Sequence, residues 1–176
     1  MPRIPYVPAD LAEPREIVDA VRARRGGSLL NLDRMLLHSP ALAQGWNAYL
    51  GAVRNRLTLS PKLRELAMCI VAVVNGAEYE FIHHAPVFIE AGGTQAQVDA
   101  MRDPDGAAAD TTLFDDTELA ALAVAIAMTR SVRVDDATFD ALKAKLAERE
   151  VVEYVATVAT YNMVSRFLVA LGVEPE

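Results

Sequence analysis

The chain has 176 residues, a formal net charge of −7 and a single cysteine. This length predicts one domain, since domains commonly run to about 100–200 residues and such a chain buries a sizeable core without disulfides. The acidic balance argues against a nucleic-acid partner, because binding to phosphate groups needs a basic patch and the sequence has no Lys/Arg run.

The predicted elements are all helices. Alanine and other good helix formers dominate, and the alternating patterns typical of strands are scarce. Helix start and stop signals then predict, in chain order, helices over about 13–23, 31–37, 40–53, 61–75, 77–91, 94–101, 116–130, 136–147 and 148–171. The segment 103–110 (DPDGAAAD) is predicted to be a loop, because it combines proline, glycine and flanking acids.

The helix that begins at Ser60-Pro61 is predicted to be the central one. Serine is a favourable N-cap and proline a favourable first helical residue, and Asn75-Gly76 is a natural stop. Within it, the run Leu66–Val74 is apolar on every face. We therefore expect this helix to be buried all round, either at the centre of the domain or across a subunit interface.

The sequence also indicates where the protein resides. Three prolines in the first ten residues stand where a signal peptide would carry an apolar stretch. The longest apolar run, Leu119–Met128, is shorter than the roughly 20 residues that span a bilayer. Cys69 has no disulfide partner in the chain and suits a reducing compartment. We expect a cytoplasmic protein with no membrane partner.

Glu80 and His84 are the first candidate catalytic pair. They lie four residues apart and so share one helical face. Tyr79 and His83 form a second pair with the same spacing, each one residue earlier in the chain. A carboxylate beside an imidazole raises the pKa of the imidazole and orients the ring, which favours proton transfer near neutral pH. The alternative is a solvated surface ion pair of little energetic value.

Glu65 is a second candidate acid, because it lies on the otherwise apolar central helix, where a carboxylate is costly unless paired. If the two helices pack as an antiparallel hairpin, Glu65 approaches His84. The alternative is that Glu65 faces solvent near the helix start, where the helix dipole favours it.

Other chemistry finds less support. Glu80-x-x-His83 is half of a di-iron pattern, but no second such motif exists and the remaining histidine is His38. Cys69 lies too deep in apolar sequence to be a good thiolate, and no nucleophile elbow or glycine-rich phosphate loop is present. We expect neither a metal nor an organic cofactor.

Asn162 and Arg166 are candidate substrate-binding residues on the last helix. They lie four residues apart in an apolar segment, and arginine binds carboxylates through two hydrogen bonds. The alternative is that they form the polar rim of a core helix, with an acid such as Glu153 as partner. His83 and Tyr79 are the other candidates for contact with substrate.

The stretch LSPKLRELAMCIVAVVNGAEYEFIHHAPVFIEAGGTQAQVDAMRD resembles the core of the carboxymuconolactone decarboxylase/AhpD-like superfamily. The AhpD branch carries Glu, eleven residues, Cys-x-x-Cys, three residues and His. Glu65 and His84 match the Glu and the His, while the cysteine positions fall on Ala77 and Glu80. The resemblance extends to HSPALAQGWNAYL and to the C-terminal helix, and so covers most of residues 30–175.

The resemblance implies an all-α, AhpD-like helical bundle with a core helical hairpin, assembled as a trimer or hexamer. It implies a single domain over residues 1–176 with an N-terminal extension of about 28 residues. Since the cysteine pair is absent, dithiol peroxide chemistry is rejected in favour of the decarboxylase-like branch, which uses no organic cofactor.

The sequence thus predicts a cofactor-independent acid–base enzyme that acts on a small acidic or carbonyl-bearing substrate, with decarboxylation of a lactone acid or keto acid as the leading case. His84 is assigned as general acid or base, with His83 as the alternative histidine. Glu80 is assigned as the partner of His84, and Glu65 as a relay or supporting carboxylate. The alternatives are an isomerase or hydrolase that uses the same residues, and a non-catalytic oligomeric binding protein.

Overall fold

The computed structural model describes all 176 residues and is entirely α-helical, with ten helices and no strand. This confirms the predicted all-α class. In chain order the helices are α1 Arg15–Arg24, α2 Asn31–Leu36, α3 Pro40–Asn55, α4 Pro61–Val74, α5 Glu78–Glu90, α6 Gln95–Ala100, α7 Pro104–Ala109, α8 Asp116–Ser131, α9 Asp136–Lys143 and α10 Glu148–Leu171.

The loop predicted over residues 103–110 is wrong, because α7 occupies most of it. Asp103 is the extended residue before the helix and Pro104 begins it, a position where the fixed φ of proline suits a helix. Ala107 is buried, so tertiary packing stabilises this short helix of six residues. The helix at 136 is also shorter than predicted and ends at Lys143.

The chain folds as two compact units. The first comprises residues 1–57 together with 168–176. Its polar centre is Asp33, which is 2% exposed and accepts hydrogen bonds from Arg24, Arg25 and the backbone N–H of Leu30. Because the carboxylate is fully paired, it ties the end of α1 to the start of α2 without leaving an isolated buried charge.

The second unit comprises residues 58–167, and α4 is its centre. Residues Leu66 to Val71 are all fully buried, since α4 packs against both α5 and α8. The prediction that this apolar run is enclosed on all sides is therefore confirmed for residues 66–72, within this unit, while Val73 and Val74 are half-buried.

Local signals fix where α4 begins. The Ser60 hydroxyl accepts a hydrogen bond from the N–H of Leu63. Just before it, the backbone N–H groups of Thr58 and Leu59 donate to the Glu153 carboxylate of α10 at 2.7 and 2.8 Å. Glu153 also accepts from Arg149, and Arg166 is not its partner. The start of the central helix is thus anchored to a buried carboxylate.

A tight turn joins α4 to α5. Gly76 adopts a φ of +65°, a conformation that residues with a side chain rarely tolerate, and α5 begins two residues later. The two helices therefore pack against each other as a hairpin, which confirms the predicted core arrangement.

The last helix, α10, is long and apolar. With 24 residues and a mean hydropathy of 1.2 over its most apolar window, it has the length and composition of a membrane span, a test that core helices of soluble proteins also pass. Tyr154, Val158 and Tyr161 lie on one face of α10 and are fully buried, and the Tyr154 hydroxyl donates to the carbonyl of Ala121 on α8.

Candidate functional site

The hairpin of α4 and α5 brings three ionisable side chains together. Glu65 lies on the second turn of α4, and Glu80 and His84 lie on one face of α5 because they are four residues apart. The turn at Gly76 reverses the chain, so His84 meets Glu65 although the two are nineteen residues apart. The predicted approach of the two helices is observed.

Both nitrogens of the His84 ring face carboxylates. Nδ1 is 2.6 Å from Oε2 of Glu65, and Nε2 is 3.2 Å from Oε2 of Glu80. Glu65, Glu80 and His84 are only 5%, 1% and 8% exposed. The cluster is therefore sheltered from water, where electrostatic interactions are stronger than at a surface. The alternative placement of Glu65 in solvent is not observed.

This arrangement constrains the protons. A neutral imidazole carries one N–H and can donate to only one carboxylate, whereas both nitrogens here face carboxylate oxygens. Donation to both carboxylates at once therefore needs an imidazolium, which carries an N–H group on each nitrogen. An imidazolium is a candidate proton donor for general acid catalysis.

The net electrostatic effect favours the charged ring. Burial on its own lowers the pKa of His84, but the hydrogen bond to Glu65, the contact with Glu80 and the two negative charges outweigh it, so the pKa of His84 is raised above its usual range. The ring therefore keeps its proton to higher pH than an exposed histidine does.

Tyr161 of α10 forms a wall of the site. Its ring meets the His84 ring edge-on, with centroids 4.9 Å apart and planes at 88°, and it is fully buried. Sequence reasoning missed this contact, because nothing in the local pattern shows that α10 reaches the hairpin. Tyr161 limits how the imidazole can rotate.

The second pair on α5, Tyr79 and His83, is arranged differently. Their rings stack with centroids 4.3 Å apart, and Nδ1 of His83 donates to the backbone carbonyl of Tyr79 at 2.7 Å. One nitrogen of His83 is thus used by its own helix. Of the two neighbouring histidines, His84 is the one whose two nitrogens both face carboxylates.

Asn162 and Arg166 belong to a separate polar cluster. Asn162 donates to Thr129 and accepts from Asn75, and Arg166 donates to the backbone carbonyl and the side-chain oxygen of Asn162. Arg166 is exposed, and no contact joins either residue to His84. The structure thus places these two predicted substrate-binding residues outside the hairpin cluster.

Cys69 lies on α4, one turn beyond Glu65, and is fully buried. Burial, followed by the negative charge of Glu65, raises the pKa of its thiol far above the usual range. The thiol is therefore neither ionised nor accessible near neutral pH, as its apolar sequence context predicted.

A surface groove of about 490 Å³ runs beside the site along α5 and α6. Its walls include the apolar residues Ile82, Pro86 and Ile89, with Arg102 at its edge. None of the three hairpin side chains lines it, because Glu80 and His84 lie on another face of α5 and Glu65 lies on α4. The groove and the buried cluster are thus distinct features of the same helix.

Comparisons with known proteins agree with this fold. Residues 40–116 match the model of the Carboxymuconolactone decarboxylase family. A variant of the debrominase Bmp8, solved in complex with 2,3,4-tribromopyrrole, superposes with a TM-score of 0.82 at 19% identity, over 100% of this chain and 94% of that one. No curated protein matches the chain.

Two further solved structures are similar. An alkylhydroperoxidase AhpD core protein from Ralstonia eutropha JMP134 gives a TM-score of 0.82 at 19% identity, over 99% of this chain and 92% of that one. A peroxidase-related protein from Silicibacter sp. TM1040 gives 0.80 at 16% identity, over 99% and 90%. At these identities the likeness establishes the AhpD-like fold and leaves the reaction open.

Proposed function

We propose that the chain, whose residues 40–116 match the model of the Carboxymuconolactone decarboxylase family and whose fold is AhpD-like, is a cofactor-independent acid–base enzyme, a decarboxylase-like lyase that acts on a small carboxylated lactone or keto acid. The observation that supports this most strongly is the buried cluster in which Glu65 and Glu80 face the two nitrogens of His84.

The two distances suggest different roles for Glu65 and Glu80. The 2.6 Å contact from Nδ1 to Glu65 is short and charge-assisted, so Glu65 orients the ring and favours its protonated form. The 3.2 Å contact at Nε2 is longer, so the proton on that side is the one available for transfer, with Glu80 as its partner. His84 is then the general acid.

The chemical step needs no external electrons. The bond between the substrate's carboxylate carbon and its neighbour breaks, carbon dioxide leaves, and the electron pair moves into the conjugated carbonyl to form an enolate. His84 then delivers its proton to carbon, which leaves a neutral imidazole that solvent reprotonates. Low exposure of the cluster favours the step, because desolvation destabilises the localised charge of the substrate's carboxylate more than the delocalised charge of the transition state that leads to the enolate.

Thiol chemistry is disfavoured for this chain even though solved structures of this fold include peroxidase-related proteins and a debrominase. Its one cysteine is enclosed and its thiol is protonated. Ala77 and Glu80 stand where the AhpD motif has its cysteines, and neither can cycle between dithiol and disulfide.

One observation supports a second candidate, a non-catalytic oligomeric binding protein. His84 is only 8% exposed, as expected for a cluster whose role is to hold the hairpin together. An isomerase or hydrolase would use the same residues as the decarboxylase.

Apolar side chains exposed along α5, namely Ile82, Val87 and Ile89, support the proposal of a homo-oligomer.

The test is a screen of small lactone acids and keto acids for carbon dioxide release, with the His84→Gln variant alongside the wild type. We expect His84→Gln to lose about 10²–10⁴-fold in turnover, the range typical of general acid–base catalysis. The matched control is His83→Gln, which changes the neighbouring residue of the same helix and should keep most of the activity. Substrate consumption without carbon dioxide release would indicate the isomerase or hydrolase, and undiminished turnover in His84→Gln would overturn the proposal.

A further inference from the structure

Arg64 is a buried arginine beside the hairpin cluster whose Nε donor is unused. Its side chain is 12% exposed, and its Nε lies 3.9 Å from Oε1 of Glu65, the oxygen that does not face His84. That distance suits an ion pair and is too long for a hydrogen bond. Nε is buried and has no hydrogen-bond partner in the protein.

Three other arginines of residues 58–167 are more exposed than Arg64 and yet form more hydrogen bonds. Arg102, Arg130 and Arg149 are 47–69% exposed, yet each donates side-chain hydrogen bonds to a carboxylate. Burying a charged donor without a partner is unfavourable, so the more enclosed arginine is expected to be the better satisfied. The reverse pattern at Arg64 indicates that its partner is a bound molecule.

The partner's chemistry follows from the guanidinium group. Its planar fork matches a carboxylate, to which it donates two parallel hydrogen bonds. Arg64 and His84 contact the two oxygens of the same Glu65 carboxylate, so an acid held by Arg64 needs to extend past only this one group to reach the imidazole. The bound carboxylate is not the one that is lost, since pairing it with a cation stabilises the ground state and slows its departure.

We propose that Arg64 is a substrate-binding residue that anchors a non-reacting carboxylate of a small organic acid beside His84. This inference rests on the proposed function and assigns to Arg64 the role that the sequence suggested for Arg166. Arg166 is exposed and already donates to Asn162, so it lacks the unused buried donor that Arg64 offers.

The experiment measures the binding of benzoate and of benzamide, its uncharged counterpart, by isothermal titration calorimetry. Wild-type protein should bind benzoate at least about 10-fold more tightly than benzamide, and Arg64→Met should weaken benzoate binding about 10- to 100-fold while benzamide binding stays the same. Arg64→Lys keeps the charge and the aliphatic stem but not the fork, so an intermediate loss is expected. Arg130→Met, which removes an exposed arginine paired with Asp105, should bind benzoate as the wild type does.

Three outcomes would overturn the inference: no binding of benzoate to the wild type, equal binding of benzoate and benzamide, or undiminished binding to Arg64→Lys and Arg64→Met. Far-UV circular dichroism and thermal unfolding establish that each variant is folded, and Arg64→Lys carries the test if Arg64→Met is not. Benzoate binding can be measured without turnover. If benzoate does not bind but turnover still depends on His84, only the proposed role of Arg64 is wrong. Intact binding without such turnover removes the proposed function instead.

Discussion

Replacing Glu65 by glutamine isolates the electrostatic part of the central contact. Glutamine has nearly the same size and keeps an oxygen to face Nδ1 of His84, but it removes the negative charge from a 2.6 Å contact that is 5% exposed. A hydrogen bond to a charged group contributes about 1.5–3 kcal/mol and a neutral one about 0.5–1.5 kcal/mol, so the free energy of unfolding should fall by about 1–2 kcal/mol where the ring is protonated.

The pH dependence of this loss has a definite sign. The pKa of His84 is raised in the folded protein, so the stabilisation is fully present below the unfolded pKa of about 6.5 and disappears as the pH rises through the higher folded-state pKa. The difference in stability between the wild type and Glu65→Gln should therefore be largest below about pH 6.5 and should shrink as the pH rises through the raised folded-state pKa of His84.

Urea unfolding followed by circular dichroism at a series of pH values measures this difference. The matched control is Glu78→Gln, which removes a carboxylate of α5 that is 56% exposed and paired with Arg102; it should cost less than about 1 kcal/mol. The reasoning is refuted if Glu65→Gln is as stable as the wild type near pH 6, or if its deficit grows with rising pH.

Two further predictions concern the surroundings of the site. Glu153→Gln should lower the free energy of unfolding by about 1–3 kcal/mol, because the backbone N–H groups that lead into α4 lose a charged acceptor; the loss is measured by urea unfolding, and an unchanged midpoint would contradict it. Cys69 should not react with a thiol reagent such as dithionitrobenzoate in the native protein and should react fully in urea, because the thiol is enclosed and its pKa is raised; rapid native labelling would show that the thiol is accessible and would reopen thiol chemistry.

Features of the site that depend on local sequence were predictable. Ser60-Pro61 and Gly76 set the ends of α4, and the helical spacing of Glu80 and His84 places them on one face. Two helices joined by a short turn usually pack side by side as a hairpin. The contact between Glu65 and His84 therefore follows from the predicted helix ends and the helical spacing. Short-range rules therefore sufficed for the cluster itself.

Features that depend on contacts distant in sequence were not predictable. Tyr161 reaches His84 from a helix that is far away along the chain, and no periodicity in α10 encodes that contact. Arg166 matches the pattern of a substrate-binding residue, and the sequence gives no sign that its Nη1 donates to Asn162. Arg64 could not be predicted as a binding residue from the sequence, because only the structure shows that its Nε is buried and has no hydrogen-bond partner.

The prediction of a loop at 103–110 failed for a different reason. The sequence there combines acids, proline and glycine, and that composition suits both a loop and the first turn of a helix. Ala107 is buried in the folded protein, and this tertiary contact decides between the two. The same proline signal predicts a helix start at Pro61, where a long apolar run follows it.

The most direct test of the central claim is a pH titration of the His84 ring by nitrogen NMR on protein with ¹⁵N-labelled histidine, with His84→Gln to assign its signals. We expect a midpoint above the ordinary value of about 6.5 and a lower midpoint in Glu65→Gln, because the two carboxylates at 2.6 and 3.2 Å favour the protonated ring. A midpoint below that ordinary value, unchanged in Glu65→Gln, would contradict the account, because burial would then outweigh the carboxylates and His84 would hold no proton to transfer.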